Sequence, residues 1–331
     1  MKHALALTAL VCAAGSLLQS QAPADEPELV TRDAYLMGTR AHLAAYADRR
    51  TEGVAALDLA LRVLERTERE LSTWRHDSEI STLNRHPPGQ AWQAPPSTCR
   101  VLDNVFAWRH KTNGTFDPGI GRLIEAWNIH GDGRVPSPAE LGEAVDRSGL
   151  SLMSFDRERC TVTRRGDATI DVGAFGKGEA LDRVDVALGA GAWLVDLGGQ
   201  VTVGGPRPDG SDWTVDVAHP AVRHRAQLQV RMREGSLSTS GGSERDLVVN
   251  GARIAHHLDP RTGRPATYTG SVTVWHRSGL AADVLTTALY VMGLEEGLQW
   301  AEARGIAAVF LVLNGDQVKA VPTAAWRARA N

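Results

Sequence analysis

Apolar residues recur every three or four positions from Thr51 to Trp74 (TEGVAALDLALRVLERTERELSTW), with charged residues between them. That period puts the apolar side chains on one stripe of an α-helix. A loop rich in Pro, Gly and Gln is predicted from His86 to Pro96, then a second helical stretch from Val101 to His110. From Cys160 onward the period shortens. The runs TVTRRG, ATIDVG, AWLVDLGG, WTVDVA, AQLQVRM, LVVNGARIAHHLD and SVTVWH are each bounded by Gly, Asp or Pro, as strands are. Helices are predicted over Ala281–Met292 and Glu295–Arg304, before a last strand, AAVFLVL. The order of elements predicts an α+β protein: a mixed or largely antiparallel sheet flanked by helices, with two lobes in one unit. No long linker, low-complexity tract or repeat divides it.

Ahead of these elements, Lys2 precedes the apolar run ALALTALVCAAGSLL and a polar stretch ending in small residues, the layout of a secretory signal peptide. Ala22, Pro23 and Ala24 form the best small-x-small site, so cleavage is expected after Ala24, leaving 25–331 as a single domain. A lipid anchor on Cys12 competes with this reading, although Ala9, Leu10 and Val11 do not make the usual approach to such a site. The run is about 15 residues long, short of the roughly 20 that span a bilayer. An exported or periplasmic protein is expected, with attachment to the inner membrane as the variant.

Composition narrows the classes further. The chain is 43% hydrophobic and 23% charged with a formal net charge of -3, and shows no basic excess of the kind nucleic acid selects. Of three cysteines, Cys12 lies in the leader, and Cys99 and Cys160 remain in a compartment that permits a disulfide. Neither has metal-ligand spacing around it, and a bridge and two thiols both stay open.

The chemistry gathers in five polar clusters: MGTR at 37–40, STW and SEISTLN within 72–84, GTFDPGIGRLIEAWNIHG at 114–131, IDVGAFGKGEALDRV at 170–184, and a group made of STSGGSER, AHHLDPRTGRP and AADVLTTALYVMG. In the fourth, a strand ending at Asp171 turns through Gly173, Gly176 and Gly178 into a helix predicted to begin near Glu179. Backbone N–H groups and a helix amino terminus can face an anion there, and Lys177 adds a point charge. The spacing fits neither the dinucleotide fingerprint nor the Walker pattern, so a structural glycine turn is the other reading. Asp283 and Thr287, four residues apart, share a helix face, and their oxygens suit a hard cation such as Mg²⁺. Alternatively Asp283 caps a helix and Thr287 packs. His256 and His257 precede a Pro/Gly turn, where an imidazole can take a proton from a hydroxyl or serve the fold alone. Trp74 and Phe116 can stack on a ring system or fill a core.

Taken in order, the clusters resemble the FAD:protein FMN transferase family, also called the ApbE family, from about Asp33 to about Pro322. The landmarks are MGT at 37–39, SEISTLN at 78–84, GTFDPGIG at 114–121, DVGAFGKG at 171–178, DLGG at 196–199, STSGGSER at 238–245, HHLDPRTGRP at 256–265 and ADVLTTALYVMG at 282–293. The resemblance implies that Met37, Trp74, Thr115, Phe116, Asp117, Asp171, Lys177 and Leu258 line an FAD site. It implies Mg²⁺ between the Ala174 carbonyl and the side chains of Asp283 and Thr287, and His257 as the residue for proton transfer. The implied reaction is attack by a Thr or Ser hydroxyl of an acceptor protein on the FMN-side phosphorus of FAD, with AMP leaving. The implied acceptor is an exported or membrane-attached electron-transport protein. Hydrolysis of FAD to FMN and AMP, and FAD binding without turnover, are the alternatives. Phe175, Gly176, Glu179, Gly119 and Arg122 depart from residues usual in that family, and Glu179 is expected to face solvent, away from the phosphates.

Overall fold

The computed structural model describes residues 26–242, 246–249, 251–315 and 317–330. The leader with Cys12, and Ser243, Glu244 and Arg245 of the STSGGSER block, lie outside the described residues. An antiparallel sheet of eight strands forms the centre, and its strands lie side by side in chain order: Glu28–Leu36, Thr39–Ala47, Trp193–Leu197, Gln200–Val203, Gly235–Gly241, Gly270–His276, Ala307–Asn314 and Gln317–Pro322. Helices α1 (Arg50–Leu71), α2 (Glu79–Arg85), α3 (Pro96–Lys111), α4 (Gly121–Trp127), α5 (Pro138–Asp146) and α6 (Gly176–Leu188) come between the second and third of these strands. Helix α7 (Gly279–Glu302) joins the sixth to the seventh, and α8 (Ala324–Ala330) ends the chain. The expected α+β class with a largely antiparallel sheet is what forms.

Side-chain alternation gives the sheet two buried faces. On Ala307–Asn314, Ala308 and Phe310 point to the core under α7, whereas Val309 and Leu311 point to the opposite one. The predicted stripe of α1 buries Leu57, Ala60 and Leu64 against Leu43, Val195 and Leu197 of the sheet and Leu181 of α6. The far face is covered by the hairpin Trp213–His219/Val222–Met232 and by Trp326 of α8.

Residues between α1 and α6 build the second lobe, a three-stranded sheet of Ala91–Gln93, Met153–Asp156 and Thr161–Arg164 with α2 to α5 around it. Cys99 of α3 is bonded to Cys160, which settles the open question about the two thiols. The lobes share one core, because Leu102, Phe116, Ile170 and Phe175 pack in the same cluster as Val284, Leu289 and Tyr290 of α7.

Several elements differ from expectation. The ATIDVG run joins no sheet: both backbone groups of Ile170 are taken by the Asn84 side chain at 2.8 Å, and the Asp171 N–H donates to the Pro118 carbonyl. LVVNGARIAHHLD is a small hairpin, Leu247–Val249 with Ala252–Ile254, followed by a two-residue bridge at Leu258–Asp259. The loop over His86–Pro96 contains the strand Ala91–Gln93. The two carboxy-terminal helices meet at Gly293, whose φ of 76° breaks α7 where their separation was expected. Among the described residues, no helix is long and apolar enough to cross a membrane.

Candidate active site

The site is built where the amino termini of α6 and α7 meet. Their backbones touch at two glycines: a Cβ on Gly178 would lie 2.3 Å from the Gly279 carbonyl oxygen, and one on Gly279 would lie 2.8 Å from that of Gly178. Asp182 holds the junction by accepting from Ser278 Oγ (2.6 Å), the Gly279 N–H and the Leu280 N–H (3.1 Å). An acidic side chain satisfying a helix amino terminus is favoured by both hydrogen bonding and the helix dipole. Burial nevertheless pushes the Asp182 carboxyl up, against the downward pull of those three donors.

Asp283 stands one turn into α7 and is buried. Its Oδ2 accepts from the Gly178 N–H at 3.0 Å and its Oδ1 from Lys177 Nζ at 3.3 Å. The cap of α7 is Ser278, whose Oγ accepts from the Ala281 N–H at 3.1 Å. Asp283 therefore does not cap its own helix. It reaches across and satisfies an amino-terminal N–H of α6 instead, which brings a carboxylate, an ammonium group and a helix amino terminus to one point.

Beside this junction opens a small cleft lined by Thr115, Phe116, Asp117, Asp171, Ala174, Leu258 and Thr287, seven residues singled out from the sequence. Asp117 shapes the wall. Its carboxylate accepts from Arg109 Nε (2.6 Å) and from the N–H groups of Gly119 and Leu150 (both 2.9 Å). Gly119 has no room for a side chain, since a Cβ would lie 2.5 Å from the Gly149 carbonyl carbon and the Leu150 nitrogen. Asp171 Oδ1 accepts from the Gly173 N–H at 2.8 Å, which folds the glycine turn back toward α6, and Oδ2 lies 3.3 Å from His130 Nε2.

Met37 and Gly38 form a two-residue hairpin turn with φ of 52° and 70°. The Met37 N–H donates to Glu68 at 3.1 Å, and its Cε would touch a Cβ on Gly176, so it abuts the start of α6. Trp74 sits 75% exposed, its ring centroid 4.9 Å from that of His130. Met37, Trp74, Lys177, His257 and Asp283 are not among the residues that line the cleft.

His257 lies between the rings of His256 (3.9 Å) and Tyr290 (4.4 Å), the latter one turn beyond Thr287 on α7. Burial pushes the Tyr290 hydroxyl up to about 12, so it stays neutral and donates to the Tyr268 carbonyl at 3.1 Å. The sequence reading missed a pair beside it: His256 Nδ1 lies 2.8 Å from Asp246 Oδ1, and Arg253 pairs with the other carboxylate oxygen. Burial pushes the Asp246 carboxyl up, but hydrogen bonds from the His256 ring and N–H, with the charges of His256 and Arg253, bring it below its ordinary value. No spacing rule links Asp246 to a histidine ten residues on.

One expectation is corrected. Glu179 does not face solvent: its side chain is 13% exposed and accepts from Arg183 Nε at 2.7 Å, while Arg183 also reaches Glu70 at 2.6 Å. Its charge is balanced by a guanidinium rather than by water. Burial pushes its carboxyl up, against the effect of Arg183.

Among the described residues no group of three or more His, Cys, Asp and Glu side chains is placed to hold a metal ion. A cation here would rest on one carboxylate, Asp283, plus the neutral oxygens of Ala174 and Thr287. An all-oxygen set of that kind fits Mg²⁺ and fits poorly with softer metals. Each Asp283 oxygen carries a single hydrogen bond, which leaves lone pairs for a cation.

The fold is shared with solved proteins of one kind. The ApbE protein of Thermotoga maritima superposes with a TM-score of 0.84 at 26% identity, covering 92% of this chain and 100% of that one. The flavinyl transferase ApbE of Pseudomonas stutzeri gives 0.82 at 28% identity, covering 92% and 98%. The model of the ApbE family matches residues 37–310, and the chain belongs to that family. Among curated relatives, the FAD:protein FMN transferase of Treponema pallidum is 30% identical over 307 residues, which cover 85% of this chain and 84% of that protein. That of Vibrio cholerae is 29% identical over 275 residues, covering 80% and 82%.

Proposed function

We propose that this chain is a Mg²⁺-dependent FAD:protein FMN transferase, acting on a Thr or Ser of an exported acceptor and releasing AMP. The observation that carries the reading is the convergence, on one cleft beside the α6–α7 junction, of seven residues chosen from the sequence for an FAD and Mg²⁺ site.

The chemistry follows from what each group can do. The acceptor hydroxyl oxygen forms a bond to the FMN-side phosphorus, the bond from that phosphorus to the bridging oxygen breaks, and AMP departs with its phosphate. Negative charge grows on the phosphoryl and bridging oxygens as this happens. Lys177 Nζ and the amino terminus of α6 supply positive potential, and the glycines at 173, 176 and 178 let the backbone come close. Asp283, Thr287 and the Ala174 carbonyl would hold Mg²⁺, which when bound neutralises phosphate charge. Thr115, Phe116 and Leu258 shape the cleft, and Met37 abuts the start of α6.

The hydroxyl proton must leave as the bond forms. His257 is the residue the family resemblance implies, and the geometry favours its neighbour. His256 has Nδ1 held by Asp246 at 2.8 Å, which orients the ring, the arrangement general bases use. The leader at 1–24 supports export, and the acceptor is then an exported or membrane-attached electron-transport protein.

The test is incubation of the purified chain with FAD and Mg²⁺, with and without a candidate acceptor, following AMP release and acceptor mass. Gain of one FMN by the acceptor, abolished by chelator, is expected. AMP and free FMN in equal amounts with or without acceptor would make the chain a hydrolase, and intact FAD throughout would overturn catalysis.

A further inference from the structure

The cleft encloses only about 30 Å³, which is small for the reading above. Pockets that hold drug-sized ligands run to roughly 300–1,000 Å³, and FAD carries two ring systems joined by a long ribityl-pyrophosphate chain. Part of the dinucleotide must lie past the cleft, over its rim. The rim next to Asp171 carries an aromatic pair that folding alone does not explain. Trp74 is 75% exposed, and His130, in contact with it at 4.9 Å between ring centroids, keeps 46% of its side chain exposed. Two rings that touch and remain in water contribute little hydrophobic burial.

The backbone under His130 is held firmly. Asn128 ends α4 in the left-handed region at φ 52°, and its carbonyl accepts from the N–H groups of Gly131 (3.0 Å) and Gly133 (3.2 Å). The Arg134 N–H returns to the Trp127 carbonyl at 2.9 Å, and Trp127 Nε1 donates to the Gly263 carbonyl at 2.8 Å. The loop is thereby tied to the turn that carries Leu258. The imidazole is tied to the cleft wall as well, with Nε2 3.3 Å from Asp171 Oδ2.

We infer that His130 is a substrate-binding residue of this site, forming with Trp74 the rim surface on which one planar ring of the dinucleotide rests. The inference depends on FAD being the ligand. The ring is either adenine or isoalloxazine, since both offer a flat heteroaromatic face to an indole and an imidazole.

The experiment measures FAD binding to the full chain by calorimetry, without acceptor, for wild type, His130→Ala and His130→Phe, with AMP and FMN as separate probes and thermal melting as a check on the fold. His130→Ala is expected to weaken FAD binding about five- to tenfold with an unchanged melting temperature, the scale of one lost ring contact. His130→Phe, which keeps a ring face, is expected to stay within about twofold of wild type. A loss seen with AMP assigns the surface to adenine, and one seen with FMN assigns it to isoalloxazine. Equal FAD affinity in wild type and His130→Ala overturns the inference while leaving the transferase reading intact. A wild-type chain that binds no FAD overturns that reading and this one with it.

Discussion

Replacing Gly178 by Ala tests whether the contact between α6 and α7 sets the geometry of the site. The added Cβ would lie 2.3 Å from the Gly279 oxygen, 2.7 Å from its carbonyl carbon and 2.7 Å from Leu280 Cα, all of them backbone atoms that no rotamer can move aside. Ordinary van der Waals contact begins near 3.4 Å, so the helices must part by roughly 1 Å. That movement stretches the hydrogen bond from the Gly178 N–H to Asp283 from 3.0 Å to beyond useful range, and the 3.3 Å contact of Lys177 with it. Overpacking of this sort costs about 1–3 kcal/mol of stability, and a 1 Å misplacement of catalytic groups costs on the order of a hundredfold in rate. Gly142 provides the control: it is also in a helix, but nothing lies within 4 Å of where its Cβ would be. Gly142→Ala should be neutral or stabilising by up to about 1 kcal/mol. The assay is AMP release from FAD under saturating Mg²⁺, with thermal unfolding measured in parallel. Wild-type kcat in Gly178→Ala would refute the claim that close helix approach positions Asp283.

Asp283→Ala should abolish the chelator-sensitive part of AMP release while FAD binding persists; full activity in that variant would sink the cation assignment. Lys177→Ala should raise KM for FAD or lower kcat by about tenfold or more, as loss of a charge-assisted contact with phosphate does, and no change in either would make the glycine turn structural. His256→Asn should cost about 10²–10⁴ in kcat and His257→Asn less, read from single-turnover AMP release; the reverse order would return the base to His257. The depressed Asp246 carboxyl makes a pH prediction: its stabilising contribution is complete above the ordinary value of 3.8 and is lost as pH falls through its lower folded value, so below about pH 4 wild type should lose more stability than Asp246→Asn. Cys99 and Cys160 close a loop spanning 61 positions, and Cys99→Ser should lower the unfolding free energy by about 4 kcal/mol in denaturant titration.

Local periodicity revealed α1 and most of the strands after Cys160, because Leu57, Leu64 and Leu71 repeat at the helical period and runs such as WLVDL alternate. The first strand, ELVTRDAYL, escaped because it lies at the sheet edge, where most of its side chains meet water and Arg32 and Asp33 interrupt the apolar pattern. The strand Gly235–Gly241 reads GSLSTSG and looks like a loop, yet Ser236 and Ser238 are buried beneath α7. Their hydroxyls meet Gln200, Thr202 and Thr286, so polarity there is satisfied inside the core rather than by solvent. Helix α4 has seven residues and α5 has nine, too few turns for a period to stand out. At the site, the Asp283–Thr287 spacing was legible as one helix face. The contact of Asp283 with Gly178 was not, since it joins residues 105 apart and depends on how two helices cross. The same holds for Asp182, which looks like an ordinary helix-surface acid until α7 arrives to be capped.

The two donors on Asp283 are not equivalent, and the difference bears on how the site would work. The Gly178 N–H is part of a helix terminus locked by the Gly178–Gly279 contact and by Asp182, so it cannot leave. Lys177 Nζ is at the end of a flexible stem, 24% exposed, and its 3.3 Å separation is long for an ammonium–carboxylate bond, which is strongest near 2.7–2.9 Å. Releasing it costs little. In the proposed reaction the backbone donor would keep the Asp283 carboxylate aimed while Lys177 turns to a phosphate oxygen, leaving Oδ1 open to a cation. Lys177→Arg then separates placement from charge. Arginine keeps the positive charge but carries a wide planar fork that pairs with a carboxylate through two hydrogen bonds, so it should hold Asp283 more tightly and yield it less readily. The expected result is FAD affinity within a few-fold of wild type, a higher Mg²⁺ requirement and a lower kcat. A variant with an unchanged Mg²⁺ requirement would show that Lys177 does not need to leave Asp283, and the exchange would have to be abandoned.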